Sequence, residues 1–214
     1  QKELEKVAFV DYITGGDNYP AFIRKIKKNP REGYFATLTI GDFSVIQSSC
    51  GYKKADELLR KIHTQLKRIM RYGDELGHVN RADFVMFIAT DDEAWLDRQI
   101  KLLNKYLAEL AEAEETPALV AYFGIIKYAK GSDVRELINK SRVALMNVPN
   151  NREECYAIYG EKYTKDFLEN SKLEKNFEKN IAEKRFEVWY QPKYDPKQKR
   201  LVGAEALVRW IQAD

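Results

Sequence analysis

The feature that most constrains the fold is an alternation of helix-like and strand-like hydrophobic patterns over the first 160 residues. Between Lys53 and Tyr72, apolar side chains recur every three or four residues, which is the spacing of one helix face. Between such stripes lie short runs of apolar and β-branched residues, such as EGYFATLTIGDF at residues 32–43. This alternation predicts an α+β fold, in which helices flank one central, mostly antiparallel sheet.

The predicted order of elements is helix, strand, helix, hairpin, helix, strand, helix and strand. The hairpin combines a short strand near residues 76–79 with a strand over 84–89, and we expect its turn at residues 80–84. That turn is charged and lacks glycine, although the strands beside it are apolar. A tight turn without glycine is unusual, and it marks this stretch as a candidate functional site.

Other local patterns give expectations about the ends of elements. The helix after the hairpin is predicted to begin at Thr90 or Asp91, and the last helix of this region at Ser132, because their side-chain oxygens can accept first-turn N–H groups. A short helix is predicted over residues 2–9. Cys50 is expected in the loop before the long helix.

The domain organisation is predicted from a change in composition at about residue 170. Residues 1–160 form the first domain, residues 161–184 a charged connector helix with a thin apolar stripe, and residues 185–214 a second strand pair. Both ends of the chain look abrupt, and we expect the sequence to be part of a longer protein.

Composition excludes several classes of function. The net charge is +3, from 36 basic and 33 acidic residues, with no concentrated basic face, so we do not expect a nucleic-acid partner. The two cysteines show neither a pairing pattern nor a metal-binding spacing, which fits a reducing cytoplasm. The sequence has no apolar run of the roughly 20 residues that span a bilayer, so no membrane contact is expected for this fragment.

Three stretches, in chain order, resemble the GGDEF family, the bacterial diguanylate cyclases that join two GTP molecules into cyclic di-GMP. AFVDYITGGDNYPAF at residues 8–22 is similar to the opening of that family. LTIGDFSVIQSSCGYKKADELL at residues 38–59 follows the next motif without a gap, and HVNRADFVMFI at residues 78–88 falls on the family's hairpin. The resemblance implies the fold of GGDEF and nucleotide-cyclase domains.

The resemblance also implies that the cyclase site is degenerate. Asn80 and Arg81 stand where the family has two glycines, which let backbone N–H groups approach nucleotide phosphates. Ala82 replaces the first acidic residue, and Asp83 replaces the glutamate with one methylene less. Phosphoryl transfer depends on positioning and on charge neutralisation by Mg²⁺, so these replacements remove what the chemistry needs.

The facing strand and helices lack further family residues. Thr39 falls on the position of a metal-binding aspartate and Gln47 on that of a guanine-binding asparagine, while Asp56 matches a guanine-contacting aspartate. Asp42 lies one place away from the next acidic position, on the opposite face of a strand. We therefore expect no metal site, no cofactor for this fragment and no cyclase activity. The alternative is a residual cyclase that uses Asp83, Asp42 and Asp56 in altered geometry.

Arg71 and Asp74 match the Arg-x-x-Asp pattern that binds the product in many cyclases, nine residues before the turn. Two interpretations remain open: a site for a guanine nucleotide, or an arginine at a helix end beside an aspartate in a turn. Of the two histidines, His78 is expected on the hairpin surface and His63 half-exposed on the long helix.

The last stretch, YQPKYDPKQKRLVGAEALVRW at residues 190–210, resembles the start of an EAL domain, the cyclic di-GMP phosphodiesterase fold. By this resemblance Glu205 would hold a divalent cation, Mg²⁺ or Mn²⁺, in an intact EAL domain, and Gln191 and Arg209 would contact the dinucleotide. One carboxylate cannot fix a metal for hydrolysis, so this fragment is not expected to be an enzyme.

The sequence thus predicts a non-catalytic regulatory module in a cytoplasmic signalling protein, or in the cytoplasmic part of a larger sensor. Its candidate ligands are GTP and cyclic di-GMP, and it would control a downstream EAL phosphodiesterase. The alternative is a structural domain that forms a homodimer and binds no nucleotide.

Overall fold

The structure, a computed structural model, describes residues 8–149 and 154–211. The chain divides into two compact units between Thr164 and Lys165. The helix predicted over residues 2–9 lies mostly outside the described residues.

Apart from the additional helix α2 and a break in the connector helix, the elements follow the predicted order. In chain order they are α1 (Tyr19–Lys28), β1 (Gly33–Ile40), α2 (Phe43–Cys50), α3 (Tyr52–Ile69), β2 (Glu75–Asn80), β3 (Asp83–Ile88), α4 (Glu93–Ala113), β4 (Ala121–Tyr128), α5 (Val134–Met146), β5 (Tyr156–Ile158), α6 (Glu161–Lys175), α7 (Phe177–Ala182), β6 (Phe186–Asp195) and β7 (Arg200–Trp210).

The first unit is built on a five-stranded sheet in the order β2-β3-β1-β4-β5. The pairs β2–β3, β3–β1 and β1–β4 are antiparallel, and β4–β5 is parallel. The predicted mixed fold with a central sheet flanked by helices is confirmed. Strand β1 is central and β5 lies at an edge.

Helices cover both faces of this sheet. On β1, Tyr34 and Leu38 belong to a core that also contains the apolar stripes of α3 and α4. Phe35, between them, points to the other face and packs in a second core with residues of α1 and α5. Successive strand residues face opposite sides, so a sheet covered twice needs apolar or small residues at nearly every position. This explains why residues 33–40 contain no charge.

Helix α5 approaches the sheet closely because the contact residues are small. A Cβ on Gly124 of β4 would lie 1.8 Å from the carbonyl oxygen of Ser141 in α5. The buried hydroxyls of Thr37 and Ser141 are 2.6 Å apart and hydrogen-bond to each other. The small residues therefore set the distance between α5 and the sheet.

Helix α2 was not predicted. The expectation of a loop at Cys50 is wrong, because residues 43–50 are helical. Three serines, two β-branched residues and a short length give this segment weak helical propensity. Its helix is fixed by tertiary burial of Phe43 and Ile46, which the sequence does not reveal.

Both predicted helix caps are one or two residues too early. Helix α4 is capped by Asp92, whose carboxylate accepts the N–H of Trp95 at 2.8 Å, and not by Thr90 or Asp91. In α5 the cap is Asp133, while the hydroxyl of Ser132 donates to a carbonyl of the preceding turn at 2.8 Å. Neighbouring Asp, Ser and Thr residues can all cap a helix, so composition alone cannot choose among them.

The second unit contains α7 and the antiparallel hairpin β6–β7. The rings of Phe177, Phe186 and Trp210 pack together with centroids 5.2–6.4 Å apart. The helix expected to be continuous over residues 161–184 is interrupted at Asn176. There the side chain of Asn180 donates to the carbonyl of Asn176 at 2.8 Å, alongside the backbone N–H of the same residue. Such side-chain donors compete with the regular helical bond.

Candidate functional site

The tip of hairpin β2–β3 is the centre of the candidate site. The turn is formed by Arg81 and Ala82, within the range predicted from sequence, and the pairing of the strands shifts between His78 and Asn80. Arg81 has φ 44°, in the left-handed region where a Cβ is unfavourable. Glycine adopts this conformation without strain, so the arginine occupies a position whose backbone suits glycine.

Directly beside the tip, Thr39 and Asp83 face each other across β1 and β3. The Thr39 hydroxyl donates to Oδ1 of Asp83 at 2.6 Å. The two positions that the resemblance assigns to metal-binding carboxylates are therefore joined by a hydrogen bond. This bond occupies one oxygen of the only acidic side chain of the pair.

The other residues of the turn supply no further carboxylate. Ala82 is buried and presents a methyl group, while its carbonyl accepts the N–H of Ile40 at 3.2 Å. Asn80 and Arg81 are exposed. The turn thus presents an amide and a guanidinium where the resemblance places two glycines.

Gln47 and Asp56 lie half-buried on α2 and α3. Within the described ranges, neither side chain hydrogen-bonds or ion-pairs with Thr39 or Asp83. Asp42 is exposed and does not lie on a strand: β1 ends at Ile40, and Asp42 precedes α2 with φ 51° and no capping bond from its side chain. The predicted position of Asp42 on the opposite face of a strand is therefore wrong.

These donors do not fit a magnesium site. Magnesium prefers octahedral coordination by hard oxygens, usually including carboxylates. Asp83 is one carboxylate, already shared with Thr39 and adjacent to the methyl group of Ala82. In the part of the chain that the structure describes, no group of three or more His, Cys, Asp or Glu residues is arranged to hold a metal ion.

Arg71 and Asp74 are brought together, but with different roles. The Asp74 side chain is 1% exposed, and it accepts the backbone N–H groups of Arg71 and Ala89, each at 2.8 Å. It therefore ties the turn after α3 to the end of β3. The Arg71 guanidinium lies 3.8 Å above the ring of Trp95 and remains partly exposed. Trp95 was missed because only tertiary structure places it there.

Both histidine expectations are wrong. His78 is 2% exposed, not on the surface, and its ring packs 4.8 Å from that of Phe84. His63 is 8% exposed, not half-exposed. A loop over residues 11–17, which lies far from both in sequence, contacts them. The fold alone reveals this burial.

In the second unit the residues assigned by the EAL resemblance share one face of hairpin β6–β7. Gln191 lies opposite Glu205, and Glu187 lies opposite Arg209. Alternate residues of a strand point to the same side, so Glu205 and Arg209 point the same way. The Glu205 carboxylate contacts Nζ of Lys193 at 3.2 Å.

A cavity of about 560 Å³ lies between α4 and β5. Asp97, Lys101, Asn104 and Tyr156 are among its lining residues. Burial, together with Asp97, raises the pKa of Tyr156. Among the described residues, those that line this cavity include none that the resemblance assigns to the cyclase site.

The five-stranded sheet with helices on both faces is a mixed α+β fold that matches solved GGDEF structures. The sequence matches the family described as "Diguanylate cyclase, GGDEF domain" over residues 19–155. The chain belongs to the GGDEF family.

Its relatives include proteins of cyclic di-GMP signalling. It is 31% identical over 165 residues to an uncharacterised protein of Synechocystis sp., a match that covers 75% of this chain and 23% of the relative. It is 22% identical over 221 residues to the cyclic di-GMP phosphodiesterase NbdA of Pseudomonas aeruginosa, which covers 97% of this chain and 28% of NbdA. The chain thus spans about a quarter of the length of these relatives.

A solved structure with the same fold is that of the S helix, GGDEF and EAL domains of Vibrio cholerae LapD bound to c-di-GMP. The TM-score is 0.67 at 15% identity, and the match covers 99% of this chain and 51% of LapD. Within the residues that the structure describes, no helix is both long and apolar enough to cross a membrane.

Proposed function

We propose that this chain is a non-catalytic GGDEF module of a cytoplasmic cyclic di-GMP signalling protein. The observation that supports this most strongly is the hydrogen bond between Thr39 and Asp83. A cyclase needs several carboxylate oxygens free for metal ions that bridge the GTP phosphates. Here one carboxylate is bonded to a hydroxyl, and the strained turn at Arg81 has side chains where phosphates would approach the backbone.

The experiment is incubation of the chain with GTP and Mg²⁺, and separately with GTP and Mn²⁺, followed by mass spectrometry for cyclic di-GMP. We expect no product above that of a protein-free control. Product that disappears in an Asp83→Ala variant would contradict the proposal and support a residual cyclase. Product that persists in Asp83→Ala indicates a contaminating enzyme, so the variant separates the two.

We further propose that hairpin β6–β7 begins an EAL domain that this module regulates. Gln191, Glu205 and Arg209 share one face of the hairpin, as residues around one ligand should. The likeness to LapD over 99% of the chain supports the same order of domains along the sequence, GGDEF and then EAL. The test is hydrolysis of cyclic di-GMP by the full-length parent protein with Mg²⁺ or Mn²⁺. We expect hydrolysis that is lost in Glu205→Ala. Equal activity in that variant would exclude the assigned role.

Nucleotide binding by the GGDEF unit is a separate proposal, carried by Arg71. Its guanidinium is partly exposed above Trp95 and is able to donate to a phosphate or a guanine edge. Asp74 is enclosed by its two backbone donors, so we assign binding to Arg71 and a structural role to Asp74.

Calorimetric titration with GTP and with cyclic di-GMP tests this assignment. Wild type and Arg71→Ala are compared, and Arg68→Ala, a nearby exposed arginine on α3, serves as the matched control. Binding that is lost only in Arg71→Ala supports the site. No heat with either ligand favours the structural alternative, and sedimentation velocity then shows whether the chain forms a homodimer.

A further inference from the structure

The loop over residues 11–17 is a closed turn fastened to strand β2. The Asp11 N–H donates to the carbonyl of Gly16 at 2.8 Å, and the Gly15 N–H donates to the carbonyl of Asp11 at 2.9 Å. Oδ1 of Asp11 accepts the backbone N–H and the hydroxyl of Thr14, each at 2.7 Å. The backbone N–H of His78 in β2 then donates to the carbonyl of Asp17 at 2.9 Å.

His78 lies beneath this loop with an acceptor at each ring nitrogen. Nδ1 is 2.9 Å from Oδ2 of Asp11, an ion-pair distance although the angle departs from that of a hydrogen bond. Nε2 is 3.0 Å from the carbonyl oxygen of Arg81 at the hairpin tip. Through these ring contacts and its backbone N–H, His78 links the loop to the tip.

His63 lies under the same loop but, unlike Nε2 of His78, its Nε2 is buried and has no hydrogen-bond partner within residues 8–149 and 154–211. A Cβ on Gly16 would come within 2.2 Å of this nitrogen, so the loop backbone rests directly on the ring. A second proton on His63 would therefore place a charged N–H against the loop without an acceptor. Burying such a group is unfavourable, and the loop must move to let water reach it.

The charges around His63 act in the same direction. Burial lowers the pKa of His63, and Lys67 on its own helix and His78 on β2 lower it further, while Asp11 and Asp17 in the loop oppose them. Burial alone would raise the pKa of Asp11, but the close contact with His78 and the hydrogen bonds from Thr14 bring it below its usual value. His63 is therefore held neutral, whereas Asp11 is held as a carboxylate.

Asp17 has a second partner, because it is paired with Lys25 of α1. Lys25 also lies 3.6 Å from Glu75 at the start of β2. These charges hold the far side of the loop. His63 is the group whose protonation opposes closure, because its buried Nε2 faces the loop backbone without an acceptor among the described residues.

We propose that Asp11, His63 and His78 form a proton-sensitive latch that holds the 11–17 loop on the β2–β3 hairpin and opens when His63 is protonated. The loop precedes the first helix of the sheet domain, and its partner His78 holds the carbonyl of Arg81. Opening the latch frees the tip of the candidate site. The unit therefore responds to mild acidification, whether or not it binds a nucleotide.

The pH window follows from His63. Its pKa is below the ordinary 6.5 in the closed state, so the open state binds more protons. Closure is fully favoured above pH 6.5 and weakens as the pH falls toward the lowered value. The Asp11 contribution is lost only below its ordinary value of 3.8. Between pH 7.5 and 5.5 the equilibrium constant for closing the latch falls by up to about tenfold. The fall arises in the one unit between pH 6.5 and 5.5, and each unit corresponds to a factor of ten.

Hydrogen exchange of the full chain, corrected for the intrinsic pH dependence of exchange, measures this directly. The reporters are the amides of Asp11, Gly15 and His78, and the amides of β1 report whether the domain stays folded. We expect wild type to lose up to about tenfold of the protection at the reporters from pH 7.5 to 5.5. In His63→Gln, which cannot gain the proton, we expect the protection to be unchanged.

Two outcomes overturn the proposal: equal protection of wild type at both pH values, or the same loss in His63→Gln. If the β1 amides show that His63→Gln is unfolded, Lys67→Met decides. It removes an exposed positive charge beside His63, and we expect it to move the midpoint of opening to higher pH. A midpoint that does not move shows that His63 is not the titrating group.

Discussion

The two hairpins of this chain have the same topology and opposite environments. In β2–β3 most side chains are buried under the helices of the first unit, whereas in β6–β7 nearly all are exposed, with Trp189 at 57%. Both sequences are rich in apolar residues, so the hydrophobic pattern predicts two good strand pairs and does not separate them. The two hairpins differ in how many tertiary contacts their side chains make. A substitution in the first hairpin should therefore lower the free energy of unfolding more than one in the second.

Removal of an aromatic ring should give the largest difference in stability between the two hairpins. Phe84 of β3 is fully buried against His78, and Phe84→Ala should lower the free energy of unfolding by about 3–5 kcal/mol, through lost burial and a cavity. Trp189→Ala in β6 should change it by less than about 1 kcal/mol, because the ring is largely exposed. Urea unfolding followed by far-ultraviolet circular dichroism gives both values. Similar losses would show that β6–β7 is as well packed as the first hairpin.

The next largest difference in stability between the two units should come from adding a methyl group at a glycine. Gly124→Ala places a Cβ against the backbone of α5, and we expect it to lower the free energy of unfolding by about 3 kcal/mol. The matched change Gly203→Ala in β7 meets no atom within 4 Å and should be neutral or slightly stabilising. Thermal unfolding of both variants measures this. A tolerated Gly124→Ala would contradict the close approach of α5.

An aspartate that accepts two backbone N–H groups occurs beside each hairpin. Asp74 is buried, and Asp74→Ala leaves the N–H groups of Arg71 and Ala89 without that acceptor, at a cost of about 2–3 kcal/mol. Asp195 accepts the N–H groups of Lys197 and Gln198 in a more open turn. Water replaces the acceptor in Asp195→Ala, for which we expect about 1 kcal/mol or less.

Chemical denaturation of these two variants provides the comparison, with Asp74→Asn as an intermediate that keeps one acceptor oxygen. An equal effect of Asp74→Ala and Asp195→Ala would remove the structural role assigned to Asp74. The Asp74 carboxylate would then again be a candidate group for binding a nucleotide beside Arg71.

Substitutions at the tips of the two hairpins should change stability by similar amounts. These are the smallest changes that we expect. Arg81 and Lys199 have φ 44° and 48°, so each non-glycine residue is strained in the same way. Arg81→Gly and Lys199→Gly should each raise stability by up to about 1 kcal/mol, the strain relieved minus the added entropy of glycine. Differential scanning calorimetry resolves such shifts. Destabilisation by Arg81→Gly alone would mean that the arginine side chain supports the tip.

These contrasts also show what the sequence could predict. Strand β1 and the hairpin turn were located correctly, because periodicity and turn position are local properties. The resemblance then identified Thr39 and Asp83 as facing positions, and the structure joins them. The local reading failed for His78, whose burial depends on Asp11, 67 residues earlier in the chain. It also missed Trp95 under Arg71, since cation–π contacts leave no periodic signal.

The central claim is that the Thr39–Asp83 pair is a hydrogen bond and not part of a metal site. Manganese binding measured by electron paramagnetic resonance in the presence of GTP tests it most directly. Thr39→Asp, which restores a second carboxylate, and Asp83→Ala are the comparison variants. We predict that wild type binds Mn²⁺ no better than Asp83→Ala and that Thr39→Asp binds it more tightly. Stoichiometric binding by wild type that is lost in Asp83→Ala would contradict the account.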